Sequence, residues 1–343
     1  MGRFYIPLAI TAALLAVLGF TAYTHMRNTS DVPAPVKSLF DQWAAQHGKS
    51  YGTSSDYQFR LGVFHSNFKF VEEASKTSSF SLGLNQFADL TESEFLVKFT
   101  GLKANNQRLL NKRSNKRYQT KTVTAPSSID WRSKGKVNPI KDQASCGSCW
   151  AFSTVQSIES RLAIKTGTLS SLSEQQLVDC AGGKWGNHGC NGGLMDQGFK
   201  YVKHEHGLTT ESDYPYTARL GKCHSVSTHL GNVVDYVDIP RSAAQHEQAL
   251  AEGPISVAIA ATRKMMFYKG GVFDDPHCGT GLNHGVGVVG YGHDSSLGQD
   301  FWIVRNSWGA SWGESGYIRF RKDVTTYGGT CGVLLMSSYP VLG

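Results

Sequence analysis

Apolar residues along the chain repeat at two different periods, and the change from one to the other divides it. Over residues 38–77, Leu39, Phe40 and Trp43 form one patch, and Phe59, Val63, Phe64, Phe68 and Val71 recur at three- and four-residue steps. That spacing predicts helix with one buried face. Phe80 to Phe87 alternates like a strand, and Thr91-Glu92-Ser93-Glu94 is a capping box opening a short helix through Phe95 and Leu96. Lys98 to Lys121 then carries eight basic residues and no acidic one, which predicts an exposed linker and a domain boundary near 120–126. Beyond it, Ala151, Val155, Ile158 and Leu162 predict a helix from about Cys149 to Lys165, stopped by Gly167. Ser173, with Gln176 three residues on, caps a second helix. The runs Ile255–Ala260, Gly285–Tyr291, Phe301–Arg305 and Gly316–Phe320 read as strands between Gly-rich turns. Helices first and strands afterwards predict an α+β body with a cleft between its halves.

Composition narrows this picture. With 343 residues, 40% hydrophobic, and only 37 Gly and 10 Pro without a repeat period, the chain is neither fibrous nor disordered. The net charge of +7 raises the question of an acidic partner. It is confined to residues 1–124, which hold 15 Lys and Arg against 8 Asp and Glu; residues 125–343 hold 19 of each. The body therefore carries no electrostatic footprint for nucleic acid. Phe4 to Tyr23 is uncharged and follows Arg3, which predicts over residues 1–24 a secretory signal peptide or an uncleaved signal anchor. Only an anchor would give the protein a membrane partner. Asn28-Thr29-Ser30 is then a glycosylation acceptor.

The chemistry concentrates in three segments. Gln143-Ala-Ser-Cys-Gly-Ser-Cys149-Trp150 places a thiol at a helix start, where unsatisfied N–H groups favour the thiolate. His284, 135 residues later, opens a strand and supplies an imidazole; Asn306, in Arg305-Asn-Ser-Trp308, supplies an amide to hold its tautomer. Gln143 stands six residues before the thiol, placed to donate to an oxyanion together with the Cys149 N–H. Two other readings exist. Cys146-Gly-Ser-Cys149 alone fits a dithiol redox motif, but no βαβ pattern precedes it and the His and Asn segments would then be idle. A non-catalytic binding relative would lack one of Cys, His or Asn. No paired CxxC or HxxxH clusters point to a metal, and no cofactor is expected.

On these motifs the chain resembles the papain family of cysteine proteases, closest to cathepsin L-type preproenzymes. Further matches are the mature start Ala125-Pro-Ser-Ser-Ile-Asp-Trp-Arg132, the glycine loop Gly189-Cys-Asn-Gly-Gly193, and Cys331-Gly332 with Ser338-Tyr-Pro340. In the N-terminal region, Asp56, Arg60, Val63, Phe64, Asn67, Val71 and Ser75 follow the family's propeptide helix motif, with Asp56, Val71 and Ser75 standing where Glu, Ile and Asn are usual. Gly83-x-Asn85-x-Phe87-x-Asp89 follows the next propeptide motif.

The resemblance implies a two-lobed papain-like α+β fold, with a helical lobe, a β-barrel-like lobe and a mainly helical inhibitory propeptide. It divides the chain into a propeptide at 25–124 and a peptidase at 125–343. It implies the bridges Cys146–Cys190, Cys180–Cys223 and Cys278–Cys331, one of 15 possible pairings of six cysteines, leaving Cys149 free. It implies catalysis by Cys149, His284, Asn306 and Gln143, and substrate contacts at Gly192, Gly193, Leu194, Met195, Ala258, Leu282, Asn283, Gly285, Trp308 and Met336. The pocket residues among these are uncharged, so an apolar residue is expected just before the one at the cut. The expected partners are protein and peptide substrates and the chain's own propeptide. The expected form is a monomeric endopeptidase of the secretory pathway, in a lysosome-like or digestive vacuole or secreted.

Overall fold

The computed structural model describes residues 32–103, 124–322 and 324–343. The signal or anchor segment, Asn28 and most of the basic stretch lie outside the described residues. The N-terminal part consists of α1 (Ala34–Gln46), α2 (Ser54–Thr77), β1 (Ser81–Leu82) and α3 (Glu92–Phe99). The body contains β2 (Ile129–Asp130), α4 (Cys149–Thr166), α5 (Glu174–Cys180), α6 (Met195–His204) and β3 (Val233–Asp238). It continues with α7 (Ala243–Ala251), β4 (Ile255–Ile259), α8 (Arg263–Met266), β5 (Tyr268–Gly270) and β6 (Val272–Phe273). It ends with β7 (His284–Asp294), β8 (Gln299–Arg305), β9 (Tyr317–Arg321) and β10 (Ser337–Leu342).

The helical periodicity over 38–77 belongs to two helices, between which Gly48 takes a left-handed φ of 59° and Thr53 caps α2. Phe40 and Trp43 of α1 meet Phe64 of α2 with ring centroids 5.2 and 5.3 Å apart. Phe59 departs from the expected inner face. Its ring is exposed and lies under the Arg60 guanidinium at 4.9 Å. The alternating run at Phe80 shortens to β1, which pairs with β5. After it the Asn85 side chain accepts from the Phe87 N–H and donates to Met266 O, turning the chain. The capping box is formed: Thr91 accepts from the Glu94 N–H, and Glu94 accepts from the Thr91 N–H.

In the body an extended sheet runs in the order β3-β10-β4-β7-β8-β9-β6, antiparallel except at β6–β9, with β2 added along β7. Against it lies α4, and here the one-sided helix expected from the sequence is replaced by a helix buried on nearly every face from Cys149 to Ser160. Its polar residues are not a solvent face. The Ser153 hydroxyl donates to Val286 O at 2.7 Å and the Gln156 amide to Ile255 O at 3.1 Å, tying the helix to β7 and β4. The three bridges Cys146–Cys190, Cys180–Cys223 and Cys278–Cys331 are formed, and Cys149 is a buried free thiol.

Two apolar clusters result. One surrounds the α4–α6 side; the other joins the β side to α1, α2 and α3. The N-terminal region therefore shares a core with the sheet. Phe64, fully buried in that shared core, should be costly to truncate. Phe64→Ala is expected to destabilise the full chain by about 3–5 kcal/mol in urea unfolding, and a loss below about 1 kcal/mol would contradict this packing.

Candidate active site

The site forms where the N-terminus of α4 abuts the start of β7. Cys149 is the first residue of α4, and the turn before it is fixed by the Cys146–Cys190 bridge and by the Gly147 N–H on Cys190 O. Gly285, the second residue of β7, stands so close that a Cβ there would be 3.3 Å from the Cys149 carbonyl oxygen. His284 beside it is fully buried. Its Nε2 lies 2.8 Å from Asn306 Oδ1, an acceptor, so Nε2 carries the proton and Nδ1 holds a lone pair. Nδ1 is buried without a protein partner. The Trp308 ring stacks on the imidazole at 4.6 Å.

Gln143 completes the group from the other side of the thiol. Its Oε1 accepts from the Ser307 hydroxyl at 2.7 Å, and its Nε2 donates to Cys146 O at 2.9 Å. These two bonds set the amide's orientation and leave its second N–H facing the cleft. Burial pushes the Cys149 thiol up to about 12, against the backbone N–H groups of Gly285, Trp150 and Cys149, which favour the thiolate. Burial likewise pushes His284 down to about 4, with the Asn306 bond acting the other way. Under this cover, burial favours the neutral form of both groups.

The match to known proteins is extensive. Residues 125–341 match the family described as papain family cysteine protease, and residues 40–95 match the cathepsin propeptide inhibitor domain. The chain belongs to the papain family of cysteine proteases. It is 42% identical to the probable cysteine protease RD21C of Arabidopsis thaliana, over 98% of this chain and 74% of that one. It is 45% identical to the cysteine protease XCP2 of the same plant, over 88% and 85%. The solved structure of digestive procathepsin L 3 from the larval midgut of Tenebrio molitor is 38% identical, with a TM-score of 0.79 over 90% of this chain and all of that one.

The covering of this papain-family site is the propeptide itself. The sequence assigns Lys98 onward to an exposed linker; instead α3 continues to Phe99, and Thr100 to Lys103 lies in the cleft with Thr100 and Leu102 buried. Charge pattern could not reveal this, because the segment is held by its backbone. Phe99 O accepts from Gln143 Nε2 at 3.2 Å and from Trp308 Nε1 at 2.9 Å. The Gly101 and Leu102 N–H groups donate to Asn283 O, the Gly193 N–H donates to Gly101 O, and the Lys103 N–H to Gly193 O. Leu102 and Gly193 pair as parallel strands do. Close approach requires the glycines: Gly192 has φ +106° and lies against Gly101, and a Cβ on Gly193 would be 2.8 Å from the Trp150 ring. Leu102 joins the apolar cluster that holds Met195, Ala258 and Leu282, with Leu194, Leu335 and Met336 at its edge.

The structure thus brings Cys149, His284, Asn306, Gln143, Trp308, Asn283 and the expected pocket residues around one cleft, while Asn28 lies outside the described residues. The cleft residues the sequence did not single out are Ser307 and the inhibitory residues Phe99, Gly101 and Leu102; no spacing signal marks them, since each acts through a contact made across the fold. The buried thiol, whose burial favours the unreactive protonated form, sets a measurable consequence. Iodoacetamide should alkylate Cys149 at pH 7 at least ~100-fold more slowly in the precursor than after propeptide removal, because only the thiolate reacts. Equal rates in the two forms would mean that the propeptide does not shield the thiol.

Proposed function

We propose that this chain is the precursor of a cysteine endopeptidase, with a signal or anchor at 1–24, an inhibitory propeptide at 25–124 and the working enzyme at 125–343. Entry to the secretory pathway follows from the first of these and fits three bridged cysteine pairs. The observation that carries the reading is the occupancy of one cleft. A stretch of backbone already takes the Gln143 amide, the Gly193 N–H and C=O and the Asn283 carbonyl, and a side chain fills the neighbouring apolar pocket. Those are the groups an extended peptide substrate would need.

In the uncovered enzyme, His284 Nδ1 takes the Cys149 proton and the thiolate sulfur adds to the substrate carbonyl carbon. The charge arriving on oxygen is met by the Gln143 amide N–H and the Cys149 N–H. The imidazolium gives its proton to the amide nitrogen, the C–N bond breaks and the amine leaves a thioester on Cys149. The imidazole then takes a proton from water, the hydroxide adds to the thioester, and the C–S bond breaks to release the acid. Asn306 keeps the imidazole in the required tautomer throughout, and Trp308 shields that bond from water.

Specificity is argued from the pocket that Leu102 occupies. Its lining by Leu194, Met195, Ala258, Leu282 and Met336 offers no partner for a charge, whereas burying an apolar side chain is worth ~1.5–3 kcal/mol. Leu, Phe or Val just before the residue at the cut should therefore exceed Arg by about tenfold or more in kcat/KM. Profiling the processed enzyme on matched peptides tests this, with Cys149→Ser as the inactive control. A preference for Arg, or activity retained in Cys149→Ser, would remove the specificity or the nucleophile assignment respectively.

Acid should loosen the precursor. With His284 at about 4 under the propeptide and ~6.5 when freed, the covered form binds fewer protons than the open form between those values. Its stability is therefore greatest above pH ~6.5 and falls as the pH drops toward 4. Glu94 acts lower: the Arg60 guanidinium, bonded to both its oxygens at 2.8 Å, holds it down to about 2. It stabilises the propeptide above pH ~4.3 and fails only as the pH approaches 2. In the Cys149→Ser precursor, which cannot process itself, hydrogen-exchange protection of residues 92–103 should fall between pH 6.5 and 4. Protection that stays flat over that range would rule out His284 as the acid-sensitive group.

A further inference from the structure

We infer that Tyr216 is a positioning residue for the oxyanion donor Gln143, a role that rests on the peptidase reading above. Tyr216 lies in the loop Tyr214-Pro215-Tyr216 of the helical side. Its hydroxyl donates to the Gln143 backbone carbonyl at 2.8 Å and lies 2.6 Å from the Ser148 hydroxyl. Each hydroxyl has one proton. With the Tyr216 proton on Gln143 O, the short contact needs the Ser148 proton, so the chain runs from Ser148 to Tyr216 to Gln143. One phenol oxygen thus joins the residue just before the nucleophile's helix to the residue that carries the oxyanion donor.

The surroundings hold that oxygen in place. The Tyr216 ring meets Phe152 of α4 edge-on at 4.9 Å, its N–H donates to Glu211 Oε1, and the next N–H donates to Gln175 Oε1. Burial raises the phenol well above its ordinary range, so it stays a proton donor at any working pH. The loop it grips is strained. Ala144, immediately after Gln143, has φ +50°, a conformation that non-glycine residues adopt only when their neighbours impose it.

Gln143 is clamped from both lobes. Its N–H donates to Ser307 O and its Oε1 accepts from Ser307 Oγ on the β side, while Tyr216 holds its carbonyl from the helical side. Without the phenol oxygen the Gln143 backbone carbonyl loses its helical-side anchor and the strained loop can relax. The Gln143 N–H then no longer meets the forming oxyanion in the geometry that makes such donors effective. Thiol activation is untouched, since neither Tyr216 nor Gln143 bonds to His284 or Asn306.

The test compares Tyr216→Phe with wild type and Gln143→Ala. Each precursor is freed of its propeptide by an added aspartic protease, and concentrations are set by thiol titration. Tyr216→Phe keeps the ring packing and is expected to lose about 10- to 100-fold in kcat with KM within twofold. Affinity for a peptide aldehyde, whose thiol adduct carries the same oxygen, should fall by a similar factor. Alkylation by iodoacetamide, which builds no oxyanion, should keep its rate and pH profile. In a Gln143→Ala background the further change Tyr216→Phe should cost nothing more. A Tyr216→Phe enzyme within twofold of wild type, a loss that multiplies fully with Gln143→Ala, or an equal loss in alkylation would overturn the inference. If Gln143→Ala alone leaves kcat unchanged, the oxyanion reading itself fails. Should Tyr216→Phe not fold, Ser148→Ala breaks the same chain at its other end. It is expected to lose kcat in the same way, again absorbed by Gln143→Ala, and an unchanged kcat would count against the inference.

Discussion

One carbonyl oxygen organises the closed precursor. Phe99 O sits between the Gln143 amide and the Trp308 indole N–H, in the seat proposed for the substrate's oxygen. Every other inhibitory contact is consistent with placing it there. Phe87 and Phe95 bring aromatic edges to Trp308, at 6.1 and 5.0 Å, while Trp308 stacks on His284. The propeptide is thus cored on the same indole that stacks on His284. Beneath it the thiol and the imidazole are fully buried, which favours their neutral forms.

A second constraint holds the lobes in register. Lys141, two residues before Gln143, donates its ammonium protons to Glu159 of α4, to Glu174 of α5 and to Leu172 O at 2.8–2.9 Å. Burial works against the charge on Lys141, but the Glu174 and Glu159 carboxylates outweigh it and keep the ammonium protonated. Arg305, next to Asn306, reaches Glu159 at 3.9 Å and donates to Pro139 O. The polar residues of α4 have the same purpose. They connect α4, which starts at Cys149, to β7, which starts at His284, to β4, and to Arg305 beside Asn306.

The sites of mature-enzyme chemistry were legible because they depend on residue identity. Cys149 at a helix start, His284 at a strand start and Asn306 before an indole each carry their purpose in type and position. The capping box at Thr91, the cap at Ser173 and the stop at Gly167 were legible for the same reason, since a local backbone need selects a local residue type. The misreadings share an opposite cause. Phe59 matched the helical period but faces solvent, because the period fixes a stripe and not its partner. The polar face of α4 read as outward, because only the sheet on its far side shows that it is buried.

Sequence by itself determined the family, the concentration of net charge before residue 125, and the residue types of the proposed catalytic group and its uncharged pocket. All of these are written in side chains. Tertiary structure alone decided how the precursor is kept silent. Thr100 to Lys103 looks like the start of a basic linker, and its inhibitory contacts are made mainly by amides and carbonyls that every residue possesses. Backbone groups acquire specificity only from what the fold sets opposite them. The same holds for Tyr216 and Ser307, hydroxyls with no sequence signal until the loop carrying Gln143 is folded between them.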